Sequence, residues 1–413
     1  MTVINEREQR GVLIAATCKL TKKGNAWLVP SQSGKGKYTV CPDKDCPHCS
    51  CKDHETTGQP CKHIFAARIV IQRELFDDGS VVETRQLVVT ETRKTYPQDW
   101  PNYNRAQVNE KEQSQILLQQ LCKGIQDRPR TPGPGRPAIT RADAIFAACF
   151  KVFSTLSSRR FSCDLHDACD KGYIARCPHF NSVLNVFDDP DTYEILRALV
   201  EESAGPLKAI ESHFSIDSSG FSGCRYDRWI CEKYGTPLQK SLRAWCKAHV
   251  ATGAITNVVA AVEVLDKSSS DTVAFPKLLA TTVKRFDVTE VSADLAYSSH
   301  KNLCLVAGVG ATPLIPFKSN ATATQGGLWA KMFGYFMLHR DEFLARYHKR
   351  SNVESTFSMI KRKFGDSVRS KTDLAMRNEV LAKLVCHNLC CLISAMYEIG
   401  VNPVFWVDQA QAG

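Results

Sequence analysis

The chain has 413 residues, 43% of them hydrophobic and 23% charged, which places it in the globular class and makes it too long for one ordinary domain of roughly 100 to 200 residues. No run approaches the 18 or so unbroken apolar residues of a membrane span, and the first ten residues lack the basic and apolar regions of an export signal, so a cytoplasmic chain with no membrane partner is expected. A net charge of +10 is compatible with nucleic acid without requiring it, and 18 Cys with no export signal suit reduced thiols, some holding metal, better than disulfides.

Residues 11 to 40 alternate short apolar runs with turn residues, and Gly11 to Ala16, Ala26 to Val29 and Lys37 to Val40 read as strands of a small sheet. A Cys- and His-rich loop follows over residues 41 to 63, then a helix from Ile64 to Leu75, which closes a β-rich module at residues 1–80. Within the loop, Cys49, Cys51, Cys61 and His63 offer three thiolates and an imidazole, the tetrahedral set that structural Zn²⁺ prefers. Cys41, Cys46, His48 and His54 are alternative ligands. A site closed by four protein ligands stabilises a fold and leaves no position for catalysis.

Residues 81–137 hold a helix from Arg105 to Cys122 and the segment Arg128-Pro-Arg-Thr-Pro-Gly-Pro-Gly-Arg-Pro137, extended because helix breakers recur through it. Arg136, within Gly135-Arg136-Pro137, either reaches into an A·T-rich minor groove or sits in a plain linker. Residues 138–210 read as a helical, DNA-binding domain, with helices at Ala142 to Phe153, Cys163 to Lys171 and Thr192 to Ser203. From 211 to 400 the texture changes to apolar strands at Phe214 to Ile216, Ala248 to Val264, Val288 to Ser292 and Pro313 to Phe317, with helices between and after them. That order suits an α/β domain on a mixed sheet, followed by a tail at 401–413.

Cutting a phosphodiester with two divalent ions needs converging carboxylates. Asp217 follows Phe-Ser-Ile in the first strand, and Asp294 follows Val291-Ser-Ala at the end of a later one. A helix across Tyr347 to Lys361 would put Tyr347, Arg350, Glu354 and Lys361 on one polar stripe about 60° wide, beside an apolar stripe of Val353, Phe357, Ile360 and Phe364. Arg340 to Lys371 carries nine Lys or Arg against four acids, half of the net positive excess. Taken singly, a strand-end Asp is commonly a cap, and a helical Glu is commonly an ion-pair partner, as Glu354 could be for Arg350. The acids at 164, 167, 170, 188, 189 and 191 suit turns and helix starts and are read as structural.

The four-position pattern Tyr-x2-Arg-x3-Glu-x6-Lys resembles the signature around the last catalytic acid of a large group of insertion-sequence DDE transposases. Asp217-Ser-Ser-Gly-Phe221 resembles their first-Asp motif and Ala293-Asp294-Leu-Ala-Tyr297 their second, and the likeness spans about residues 140 to 400. It implies a ribonuclease H-like catalytic domain with Mg²⁺ or Mn²⁺ on Asp217, Asp294 and Glu354. It also implies cleavage at transposon ends, attack of the freed 3′-OH on target DNA, and Tyr347, Arg350 and Lys361 gripping the DNA. Double-stranded DNA, a homodimer on it and a nucleoid location follow from the same likeness. The Cys-x-Cys-x9-Cys-x-His spacing resembles the SWIM zinc finger. A DNA-binding regulator that no longer cuts and a nuclease without strand transfer are the competing readings.

Overall fold

The computed structural model describes residues 5–32, 36–43, 45–77, 99–129, 138–223, 245–266 and 271–406. Two compact units account for the chain: residues 1–95 with 293–348, and residues 96–292 with 349–413.

In the first unit, α1 (Glu6–Thr17) stands where a strand is expected from the apolar run Gly11 to Ala16. Its start is a reciprocal cap: Asn5 Oδ1 accepts from the Glu8 N–H at 2.9 Å, and the Asn5 N–H donates to Glu8 Oε2 at 2.9 Å. The helix buries Glu8, Gly11, Val12 and Ala15, spaced three and four apart. Gly11 is required for close packing, because a Cβ there would come within 2.6 Å of the Phe65 Cβ.

Strands β1 (Thr21–Lys23), β2 (Ala26–Pro30), β3 (Lys37–Cys41) and β4 (His48–Cys49) form an antiparallel sheet in sequence order. Alternate residues Trp27 and Val29 of β2 face inward. Helices α2 (Lys52–Thr57) and α3 (Lys62–Asp77) follow, and α3 packs on α1.

The second unit begins with α4 (Trp100–Cys122), α5 (Arg141–Ser154), α6 (Ser158–Asp170), α7 (Phe180–Asn185) and α8 (Thr192–Ala204). Next come β5 (His213–Ser222), β6 (Trp245–Gly253), β7 (Val259–Asp266), α9 (Asp271–Val283) and β8 (Glu290–Ala293). The apolar stretch Ala248 to Val264 is therefore two strands and a turn. Glu211 makes the turn: its Oε1 accepts from the N–H of Ile255 at 3.0 Å and the hydroxyl of Thr256 at 2.7 Å. Asn257, at φ +61°, completes it.

These strands lie in the order β7, β6, β5, β8, with β5–β6 and β6–β7 antiparallel. Beside β5, the Thr289 N–H donates to Ser212 O at 2.8 Å and the hydroxyls of Ser215 and Ser292 meet at 2.8 Å. Both pairs are offset by 77 residues, so β5 and β8 run parallel and the sheet is mixed.

Within residues 293–348 lie α10 (His300–Gly308), β9 (Thr312–Leu314), α11 (Gly327–Leu338) and α12 (Arg340–Tyr347), all in the first unit. Helix α11 packs on α1 and α3, and His339 Nε2 lies 3.2 Å from Glu8 Oε1. The chain re-enters the second unit for α13 (Ser351–Phe364) and α14 (Asp373–Glu398). By length and composition α14 could cross a membrane, yet 78% of its most apolar window is buried within this fold, where it packs against α4, α5 and α8. Buried Asn388 ties it to the rest: its amide nitrogen donates to Val200 O, Ser203 Oγ and Val259 O, and its oxygen accepts from the Val259 N–H at 2.8 Å.

Candidate active site and metal centre

The stretch from Tyr347 to Lys361 is not one continuous α-helix: α12 ends at Tyr347, a 3₁₀ turn spans His348–Arg350, and α13 starts at Ser351. The expected wheel holds within α13, where Val353, Phe357, Ile360 and Phe364 are all buried. Glu354 and Lys361, seven residues apart and on one face, are left for chemistry.

Asp217 sits in the middle of β5, where its Oδ1 accepts from the Ser218 N–H at 2.8 Å. Its Oδ2 accepts from Arg350 Nη1 at 3.1 Å, while Arg350 Nη2 donates to Glu354 Oε1 at 2.6 Å. One guanidinium thus holds two carboxylates from different elements. Asp217 and Arg350 side chains are 20% and 18% exposed, whereas Glu354 is 60% exposed, so the cluster opens to solvent on the Glu354 side. Two residues further along β5, and hence on the same strand face, Ser219 Oγ accepts from Lys361 Nζ at 2.6 Å. Lys361 also lies 5.2 Å from the Phe221 ring centre, and burial pushes its pKa down.

Asp294 follows β8 directly, is half-buried, and caps a 3₁₀ turn at Leu295–Tyr297 through its bond from the Leu295 N–H. It comes two residues after Ser292 and belongs to the first unit. Tyr347 belongs to the first unit, where its ring stacks on Phe343 at 5.9 Å. Arg136 lies outside the described residues. Ser219 escaped the sequence reading, although the period of two along β5 places it on the face of Asp217.

Three of the other acids make structural pairs: Asp191 with Arg128 and Arg141 at 2.5 Å each, Asp164 with Lys111 at 2.9 Å, and Asp167 with Lys171 at 3.2 Å.

In the first unit, Cys49, Cys51, Cys61 and His63 are all buried, with one ligand atom from each lying within 4.8 Å of the others. Strand β4 supplies Cys49, Cys51 is the N-cap of α2, Cys61 directly precedes α3, and His63 lies in the first turn of α3. His63 Nδ1 lies 3.8 Å from Cys49 Sγ and 3.7 Å from Cys61 Sγ. Zinc bonds of about 2.3 Å to sulfur and 2.0–2.1 Å to nitrogen in a tetrahedron separate ligand atoms by about 3.5 to 3.8 Å, so the group fits zinc. The hydrogen bond from Cys49 holds the Cys61 thiol well below its ordinary range, while that pairing, together with burial, pushes Cys49 up. A thiolate is the form that binds metal. Among the alternatives, His54 turns its Nδ1 to Gln59 O at 2.8 Å, and Cys41, Cys46 and His48 stand outside the group.

Against known families, residues 208–389 match the transposase DDE domain. The match covers the strands β5 to β8, Glu354 and most of α14, and it supports a transposase-type function for the chain. No curated protein matches it.

Proposed function

We propose that the chain is a DNA transposase of the insertion-sequence group in which Asp217, Asp294 and Glu354 are the catalytic carboxylates. The observation that carries this reading is Arg350 joining Asp217 on β5 to Glu354 on α13, inside the segment that matches the transposase domain. A cation between two carboxylates marks a place that also suits a divalent ion, and an all-carboxylate set suits Mg²⁺ or Mn²⁺. When bound, such ions activate the attacking oxygen and stabilise the leaving one.

The chain's own groups supply position. Arg350 aligns Asp217 and Glu354, and Asp294 is the third acid of the proposed set. Lys361, held by Ser219, offers a charge to a DNA phosphate, and Tyr347 a ring to a base. The zinc quartet shapes a SWIM-type module that recognises DNA or a protein partner, and the helices of residues 138–210 bind DNA. Two copies acting together would bring two transposon ends to one target.

The test is cleavage of supercoiled DNA bearing the element ends, with Mg²⁺, by the wild type and Glu354→Ala. Nicking at the element boundary by the wild type, with a variant that binds but does not nick, is the expected result. Specific binding without cutting by both proteins would replace the enzyme with a regulator.

A further inference from the structure

The second unit contains a cleft of about 370 Å³, with Lys151, Ser157 and Ser158 on one wall and Arg369, Lys371 and Glu379 on another. Lys151 is 5% exposed and lines the cleft, and the charges acting on its ammonium are those of Glu379 and Arg369 rather than a bonded acceptor. These two charges act in opposite directions, and burial lowers its pKa. An ammonium on a largely buried stem that reaches solvent only through the cleft is poorly hydrated, and an anion in the cleft would offset that cost.

The carboxylates of the cleft already have donors within the protein. Glu379 accepts from the N–H groups of Arg369 and Ser370 at 2.9 and 2.8 Å and from the Ser370 hydroxyl at 2.7 Å. Asp188 accepts from the Thr372 hydroxyl at 2.5 Å. Arg369 spends its guanidinium on Thr155 O and Leu156 O at 2.8 and 2.9 Å, fastening the α5–α6 turn against the loop at residues 369–372.

The wall at Ser157 and Ser158 is the N-terminus of α6, a helix of 13 residues. Ser157 makes no side-chain cap, and the first turn holds Arg159 and Arg160 and no acid. Cations at the positive end of a helix dipole are unfavourable unless an anion sits there, and the first-turn N–H groups are donors in want of one.

We propose that this cleft is a binding site for a phosphate oxyanion, monoester or diester, held by Lys151, the first turn of α6 and Lys371. The site shares no residue with the Asp217, Arg350 and Glu354 cluster. Its ligand is either a backbone phosphate of DNA or a small phosphorylated compound.

The experiment uses the full chain and two variants, Lys151→Met, which removes the charge and keeps the stem, and Lys371→Ala at the exposed rim. Thermal unfolding is measured in low-millimolar inorganic phosphate and in chloride of equal ionic strength, which separates binding from general salt stabilisation. Phosphate is expected to raise the wild-type Tm. Lys151→Met is expected to melt higher than the wild type in chloride and to gain nothing from phosphate. Lys371→Ala should keep the chloride Tm and bind phosphate several-fold more weakly.

The salt dependence of duplex DNA binding then separates the sources. A slope shallower by about 0.9 in Lys151→Met assigns the site to a DNA phosphate. An unchanged slope with the phosphate effect intact assigns it to a small compound. Equal phosphate gains in all three proteins, or no gain and no change of slope, would overturn the site. Neither readout involves cleavage, so an inactive enzyme would leave this result standing.

Discussion

Replacing Arg350 by Gln removes the cation shared by Asp217 and Glu354. The bond to partly buried Asp217 is charge-assisted and contributes about 1.5–3 kcal/mol, whereas the pair with exposed Glu354 adds only about 0.3–0.5 kcal/mol. The variant should therefore be less stable by about 2–3 kcal/mol without added divalent ion. Saturating Mn²⁺ should narrow the gap by roughly 1 kcal/mol or more, because the ion neutralises the same carboxylates in the variant but must compete with the guanidinium in the wild type. Urea unfolding of both proteins with and without Mn²⁺, and with no chelator so that any metal on the Cys/His quartet stays in place, measures this. A gap that does not change with the ion, or that is under about 0.5 kcal/mol without it, refutes the reasoning.

Metal analysis of purified Cys61→Ser should find zinc reduced from stoichiometric to near zero, and retention of zinc would mean that another residue completes the site. Burial holds the His387 pKa down at about 4 against an ordinary 6.5. The unfolded chain therefore takes up a proton between these values that the folded chain refuses. Stability should fall as pH drops through 6.5 and level off below about 4, a loss of about 3 kcal/mol at full extent. His387→Gln, able to keep a donor toward Asn257 O, should flatten that part of the profile; an unaltered profile would assign the acid sensitivity to other groups.

Local patterns were the legible ones. The apolar stripe of α13 follows from helical spacing, and all four of its residues are buried. The Cys/His quartet follows from ligand types at short separations, and its residues meet within one small module.

What escaped depends on distant partners or on a cap that outweighs composition. The run Gly11 to Ala16 has strand-like residues, but the Asn5 and Glu8 cap starts a helix ahead of it. The break between β6 and β7 contains neither Gly nor Pro, and Glu211, 44 residues before Ile255, makes the turn. Arg350 is legible as a partner of Glu354 four residues on, yet its bond to Asp217 spans 133 residues. No local period announces that pairing.

The composition of the first unit also governs the order in which the chain can finish folding. Helices α1 and α3 emerge early in synthesis, but α11, which packs on both, lies beyond the whole stretch 96–292. At about 5–20 residues per second, the apolar faces of these early helices wait roughly 13–50 s for their partner. During that interval the first unit is an incomplete core. Its exposed helix faces are where a chaperone, or a second nascent copy, would find the chain first.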